Sequence, residues 1–169
     1  VGNGLEDGVQ IGPMIDEGAV AKVEEHLVNA VAAGATVIAG GQRHALGGSF
    51  FQPTVVTGVD LAMTIAREET FGPLMPLLRF KTEAEAIALA NDSEFGLAAY
   101  LFSKDAARVW RTAEALEAGM VGVYTGLISN EVAPFGGIKQ SGLGREGSQY
   151  GIDEFIEIKY VCWDGLNFA

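Results

Sequence analysis

The chain has 169 residues, 49% of them hydrophobic and 20% charged, values ordinary for a soluble globular domain large enough to bury a core. Twenty-two acidic against eleven basic residues leave a formal charge of −11, which repels phosphate backbones and anionic membranes and argues against nucleic acid or membrane as a partner. A single cysteine, Cys162, precludes an internal disulfide framework and fits a cytoplasmic setting; no run approaches the roughly 20 apolar residues of a membrane span, and no secretory leader pattern opens the chain.

VGNGLEDG begins the sequence at Val1 in the manner of a loop, which suggests a segment of something longer. A helix is expected over about 17–33: Asp16 can cap it, and Ala19, Val20, Val23, Leu27, Ala30 and Val31 share one face. Gly34 stops it, and short β-rich runs follow at 35–39, 50–59 and 73–80. Thr82-Glu83-Ala84-Glu85 reads as a capping box, opening a helix to about Asn91. The apolar run 96–103 reads as a buried strand. Ser103 is expected to cap a helix over 105–118 that carries Val109, Trp110, Ala113 and Leu116 on its apolar stripe. Another buried strand is expected at 119–124, then a polar, glycine-rich loop to about 147 and a short helix near 148–153. EFIEIKYVCW (154–163) alternates like a half-exposed terminal strand, of the kind that sits at an edge or adds to a neighbouring subunit. Buried strands alternating with amphipathic helices predict an α/β fold with a largely parallel sheet and flanking helices.

GLGREG, Gly142–Gly147, matches the G-x-G-x-x-G dinucleotide fingerprint letter for letter. That fingerprint binds pyrophosphate only where the glycines leave a buried strand and open a helix. Here Phe-Gly-Gly-Ile-Lys-Gln-Ser precedes it, and the expected strand 119–124 lies well upstream. The glycines are therefore read as a structural loop.

Three blocks carry more information. REETFGPLMPLLRF (67–80), NDSEFGLAAYLFSKD (91–105) and GLISNEVAPFGGIKQSGLGREGSQYG (126–151) together resemble the aldehyde dehydrogenase superfamily, in the same order and at similar spacing. GLIS followed by APFGGIKQSGLGREGS is most similar to its succinate-semialdehyde dehydrogenase branch. The resemblance runs from Val1 to about Gly165 and corresponds to the C-terminal third of such an enzyme. It implies catalytic-domain structure over 1–147 and an oligomerisation segment over 148–169, with a homo-oligomer formed through the terminal strand.

In that family a cysteine thiolate attacks an aldehyde, hydride passes to NAD or NADP, and a glutamate-activated water releases the acid. The resemblance places the nucleophile, the general base and the dinucleotide-binding domain upstream of residues such as VGNGLEDG. No catalytic residue is expected in this chain, and alone it is expected to be inactive and to bind little cofactor. By resemblance, Glu69 matches the acid that accepts hydrogen bonds from the nicotinamide-ribose hydroxyls, and Phe71 the aromatic beside the nicotinamide. Ser129 matches a serine that helps bind the distal carboxylate of a small-molecule aldehyde, and Phe135 an aromatic wall of the aldehyde pocket. Where the family usually has Asn, this chain has Tyr124, whose bulk is expected to reshape that pocket. Arg145 and Glu146 are expected to hold the loop by ion-pair and capping contacts. Cys162 reads as a structural thiol, Trp110 as core, and His26 and His44 as a helix-face and a loop residue without metal-ligand companions. Two other readings stand beside this one: a truncated relative serving as an assembly module, and a dehydrogenase for a different aldehyde.

Overall fold

The structure, a computed structural model, describes residues 1–165. They fall into two compact units, Val1–Phe80 and a second beginning at Lys81. Both mix helices with strands, so the chain is α/β.

The first unit is built on α1 (Glu17–Ala32). The Asp16 carboxylate starts it by accepting from the Ala19 N–H at 2.8 Å, satisfying a donor that the first turn leaves without an intrahelical partner. Gly34, at φ +102°, turns the chain out of the helix. Strands β1 (Thr36–Ala39), β2 (Thr54–Thr57) and β3 (Leu74–Leu77) form one sheet in that order. The short helix α2 (Thr64–Arg67) lies between β2 and β3, which run parallel, whereas β1 and β2 are antiparallel. The expected largely parallel sheet is thus a mixed one here. No helix intervenes between β1 and β2, and parallel pairing needs a crossover that this connection does not contain. Val20, Val23, Leu27 and Phe51 form one buried cluster, and Ala30, Ala35, Val56, Val59, Met63 and Ile65 form another; Val37 and Leu74 pack against both. On the outer side of α1, Arg43 pairs with Glu17 and Glu24. Its guanidinium holds the Glu24 carboxyl below the usual carboxylate range, and the two acids push Arg43 up.

The second unit contains α3 (Glu83–Asn91), β4 (Phe95–Gly96), β5 (Ala98–Leu101), α4 (Ala106–Ala115), β6 (Met120–Val123) and β7 (Ile138–Lys139). The capping box forms with one shift: Thr82 accepts from the Glu85 N–H at 3.1 Å, while the Glu85 carboxylate accepts from Lys81 rather than Thr82. The cap of α4 is Asp105, not Ser103. Its carboxylate accepts from Ala107 and Arg108, and Ser103 Oγ accepts from the Asp105 N–H one step earlier. The Arg108 N–H in particular keeps Asp105 below its ordinary pKa. Arg108 and Arg111 reach across to Glu83, tying α4 to α3 and lowering the Glu83 pKa, with Arg111 the larger cause. β5 and β6 pair in parallel, whereas β4 pairs antiparallel with β7.

Here the expectation of buried strands fails. β5 and β6 are half-exposed, and in β6 only Gly122 is buried. Trp110 is 69% exposed rather than core, because the apolar stripe of α4 finds no cover among the described residues. What packs tightly is backbone. A side chain at Gly119 would collide with the carbonyl of Gly136, so glycine at that crossing lets two chain segments touch.

The expected terminal strand also differs. A 3₁₀ turn (Asp153–Phe155) is followed by described residues that join no sheet, although Ile156 has extended backbone. A strand exists only as half of a pair, and none of the described residues pairs with 156–163. Phe155, Ile158 and Tyr160 are more than 80% exposed, and Cys162 lies free on the surface of this segment. Among the described residues, no helix is long and apolar enough to cross a membrane.

Candidate functional site

In the first unit the connection from α2 to β3 is Glu68-Glu69-Thr70-Phe71-Gly72-Pro73. It lies against α1. Lys22 Nζ donates to the Glu69 carbonyl, and His26 Nδ1 meets Thr70 Oγ1 at 2.9 Å. Gly72 approaches α1 so closely that a Cβ there would collide with the Val23 side chain. Phe71 holds a φ of +49°, backbone that a residue with a side chain adopts at a cost. Its ring is 83% exposed, and the Glu69 side chain, two residues earlier, is exposed as well. Phe71 borders a cavity of about 540 Å³ with Met14, Ile15 and Phe51 among its apolar walls. Chemically, the loop offers an exposed carboxylate and an exposed aromatic ring two residues apart. Two carboxylate oxygens suit the two donors of a vicinal diol, and a ring face suits a flat heterocycle. An acceptor carboxylate and a ring face are groups that fit the ribose and base of a nicotinamide nucleotide.

In the second unit Ser129 and Phe135 come together on the wall of one shallow cavity, with Asn130, Glu131 and Glu146. Ser129 also borders the adjoining cleft along β6, of about 550 Å³. Phe135 is positioned by a two-way backbone bridge to Glu146, with N–H···O distances of 2.9 and 2.7 Å. Arg145 fixes the same loop, but through carbonyls rather than an ion pair: Nη1 donates to Gly137 and Gly144 at 2.8 and 2.7 Å. Tyr124 does not line the cleft. It stands at φ +55°, with its ring edge-on to Phe102 at 5.4 Å between centroids.

A short strand, β7, does precede Gly142–Gly147, contrary to expectation, yet among the described residues no α-helix opens after it. Gly142, Gly144 and Gly147 all have positive φ and serve as turn residues, so the dinucleotide fingerprint remains a loop. His44 is a loop residue whose Nδ1 accepts from the Leu46 N–H. His26 differs from its expectation as a plain helix-face residue: it is 2% exposed, with Glu68 at 3.7 Å from Nε2. Its role was legible only as spacing, since position 26 follows Val23 by three and adjoins Leu27 on the apolar stripe. Nothing local marked Thr70 and Glu68 as its partners.

The aldehyde dehydrogenase family profile matches residues 1–161. Over 167 residues the chain is 64% identical to a 3-sulfolactaldehyde dehydrogenase of Pseudomonas putida, covering 99% of this chain and 34% of that one. It is 62% identical over 162 residues to the succinate-semialdehyde dehydrogenase of Escherichia coli (strain K12), whose name specifies NADP(+), covering 96% and 34%. The crystal structure of succinate-semialdehyde dehydrogenase from Burkholderia pseudomallei superposes with a TM-score of 0.93 at 66% identity, covering 96% of this chain and 34% of that one. The chain thus spans about a third of the length of the curated relatives it matches, and corresponds to one segment of them. With the family pattern running through residues 1–161 and the fold superposing on a solved member, this chain belongs to the aldehyde dehydrogenase family.

Proposed function

We propose that this chain supplies one wall of the cofactor and substrate site of an NAD- or NADP-dependent succinate-semialdehyde-type dehydrogenase. The observation that carries the reading is the loop 68–73: an exposed carboxylate and an exposed ring, presented on strained backbone that α1 holds in place. Strain of about 1–3 kcal/mol persists where surrounding contacts over-determine it, and is concentrated at ligand sites. In this reading Glu69 accepts from both hydroxyls of the nicotinamide ribose, and Phe71 limits the movement of the ring. The dinucleotide, when bound, supplies the hydride acceptor. Ser129 donates to the far end of the aldehyde, and Phe135 shields the reacting end from water.

The names of the relatives support a substrate class. Succinate semialdehyde and 3-sulfolactaldehyde are both short aldehydes with an anionic group at the far end; the proposed substrate is of that kind. No residue of this chain matches the family's cysteine nucleophile, so the 169 residues alone are proposed to be catalytically inert. The free surface thiol of Cys162 and the acidic charge agree with a cytoplasmic protein. A division into a catalytic part, 1–147, and an oligomerisation segment, 148–169, agrees with the exposed, apolar character of 155–163; residues 166–169 lie outside the described residues. That exposed segment also favours a second reading, in which the chain pairs with other subunits as an assembly module.

The test is a longer polypeptide in which this chain is preceded by the remainder of an aldehyde dehydrogenase. Glu69→Gln is expected to raise KM for the dinucleotide about ten-fold, equivalent to about 1.4 kcal/mol, with a smaller effect on KM for the aldehyde. The 169-residue chain alone is expected to form no NADH or NADPH from succinate semialdehyde. An unchanged dinucleotide KM, or turnover by the isolated chain, refutes the reading.

A further inference from the structure

We propose that Lys22 and His26, one turn apart on α1, are positioning residues. They set the backbone of Glu69–Gly72 and thereby aim the Glu69 carboxylate and the Phe71 ring; this function rests on the cofactor reading of those two residues.

His26 is the largest of the fully buried side chains. It sits on the stripe of α1 otherwise occupied by Val20, Val23, Leu27 and Ala30, where an aliphatic side chain serves packing better. A buried imidazole is costly unless its nitrogens find partners. Both partners of His26 belong to the loop: Thr70 Oγ1 at 2.9 Å from Nδ1, and the Glu68 carboxylate at 3.7 Å from Nε2. A proton on Nε2 faces that carboxylate favourably, which leaves Nδ1 to accept from the Thr70 hydroxyl. The Thr70 contact therefore anchors the loop to the helix.

Lys22 supplies the second anchor. Its ammonium bonds the Glu69 carbonyl and so grips the main chain of the residue whose carboxylate is proposed to meet the ribose. Val23 supplies the third contact by packing where Gly72 has no Cβ. Thr70 and Gly72 flank Phe71, the residue at φ +49°. Unaided, a phenylalanine leaves that conformation readily; held on both sides, it keeps it.

Backbone order is measured by ¹⁵N relaxation on the 169-residue chain for wild type, Thr70→Val, Thr70→Ser and Lys22→Met. These substitutions lie at the loop and helix surface, unlike His26→Leu, which also alters the core. Order parameters at 69–71 are expected near 0.85 in wild type and below about 0.6 in Thr70→Val and Lys22→Met. Residues 55–57 should stay unchanged, and Thr70→Ser should restore the loop. In the longer polypeptide, Thr70→Val is expected to raise the dinucleotide KM about five-fold with kcat within about two-fold, and Thr70→Ser to recover it. A loop that stays ordered in both Thr70→Val and Lys22→Met overturns the proposal at the anchor. A disordered loop with the dinucleotide KM unchanged in both Thr70→Val and Glu69→Gln overturns it through the cofactor reading.

Discussion

Tyr124 occupies left-handed backbone at φ +55°, a region that asparagine, with its short polar side chain, tolerates better. The strain costs about 1–2 kcal/mol, while an aromatic edge contact such as that with Phe102 returns about 0.5 kcal/mol at so exposed a site. Tyr124→Asn is therefore expected to stabilise the chain by about 0.5–1 kcal/mol, read as a higher denaturation midpoint; a lower midpoint means that the ring contact outweighs the strain. Ser129 is exposed at the junction of two cavities. In the longer polypeptide, Ser129→Ala is expected to raise KM for succinate semialdehyde about five- to ten-fold, in line with about 1 kcal/mol or more for a hydrogen bond to a charged group. KM for an uncharged aldehyde of the same length should be unaffected. Equal losses on both substrates mean that the serine shapes the loop and does not contact the anion.

At the scale of elements, the helices of the second unit are joined by ion pairs and by the Asn91 side chain, which donates to the Ala115 carbonyl, rather than by a core. α3 and α4 have no buried residue between them, and Glu83 is shared by Arg108 and Arg111. Three carboxylates, Glu24, Glu83 and Asp105, have lowered pKa values in the folded state. A group whose folded pKa is depressed contributes stability that is fully present above its unfolded value and lost as pH falls through the folded one. Thermal midpoints are therefore expected to be flat with respect to these groups from pH 7 to about 5 and to fall below about pH 4.5. Glu83→Gln should reduce that acid slope and lower stability at pH 7 slightly, because the pairs are exposed and screened by salt. A midpoint insensitive to acid, or an unaltered slope in Glu83→Gln, contradicts this account. Most elements were legible in the sequence because their signals are local. Asp16, Gly34 and the Thr82–Glu85 box act within one turn of the helix ends that they define. The cap of α4 was misread as Ser103 because Ser103 and Asp105 are both competent acceptors; geometry selects Asp105.

At the scale of the molecule, every buried large hydrophobic among the described residues belongs to the first unit, while the second leaves Phe102, Trp110 and Leu127 exposed. Apolar exposure on that scale marks surfaces that other polypeptide covers. For the segment 155–163, self-association is expected by light scattering in the micromolar range, and Ile158→Lys should abolish it by placing a charge on a paired edge. A wild-type chain that stays monomeric refutes the pairing. The family, the α/β class and most helix ends are legible in the sequence, because motifs and caps are written in contiguous letters; the same motifs nominate Glu69, Phe71, Ser129 and Phe135 as candidates for the site. The sequence by itself did not determine strand direction, the exposure of β5 and β6, or the partners of His26. Those depend on what lies across the fold. β1 runs antiparallel because its connection to β2 contains no crossover, and the 96–103 run is apolar on both faces whether or not anything covers it. Only tertiary structure could bring residue 26 to residue 70, since a hydrogen bond across 44 positions leaves no local pattern at either end.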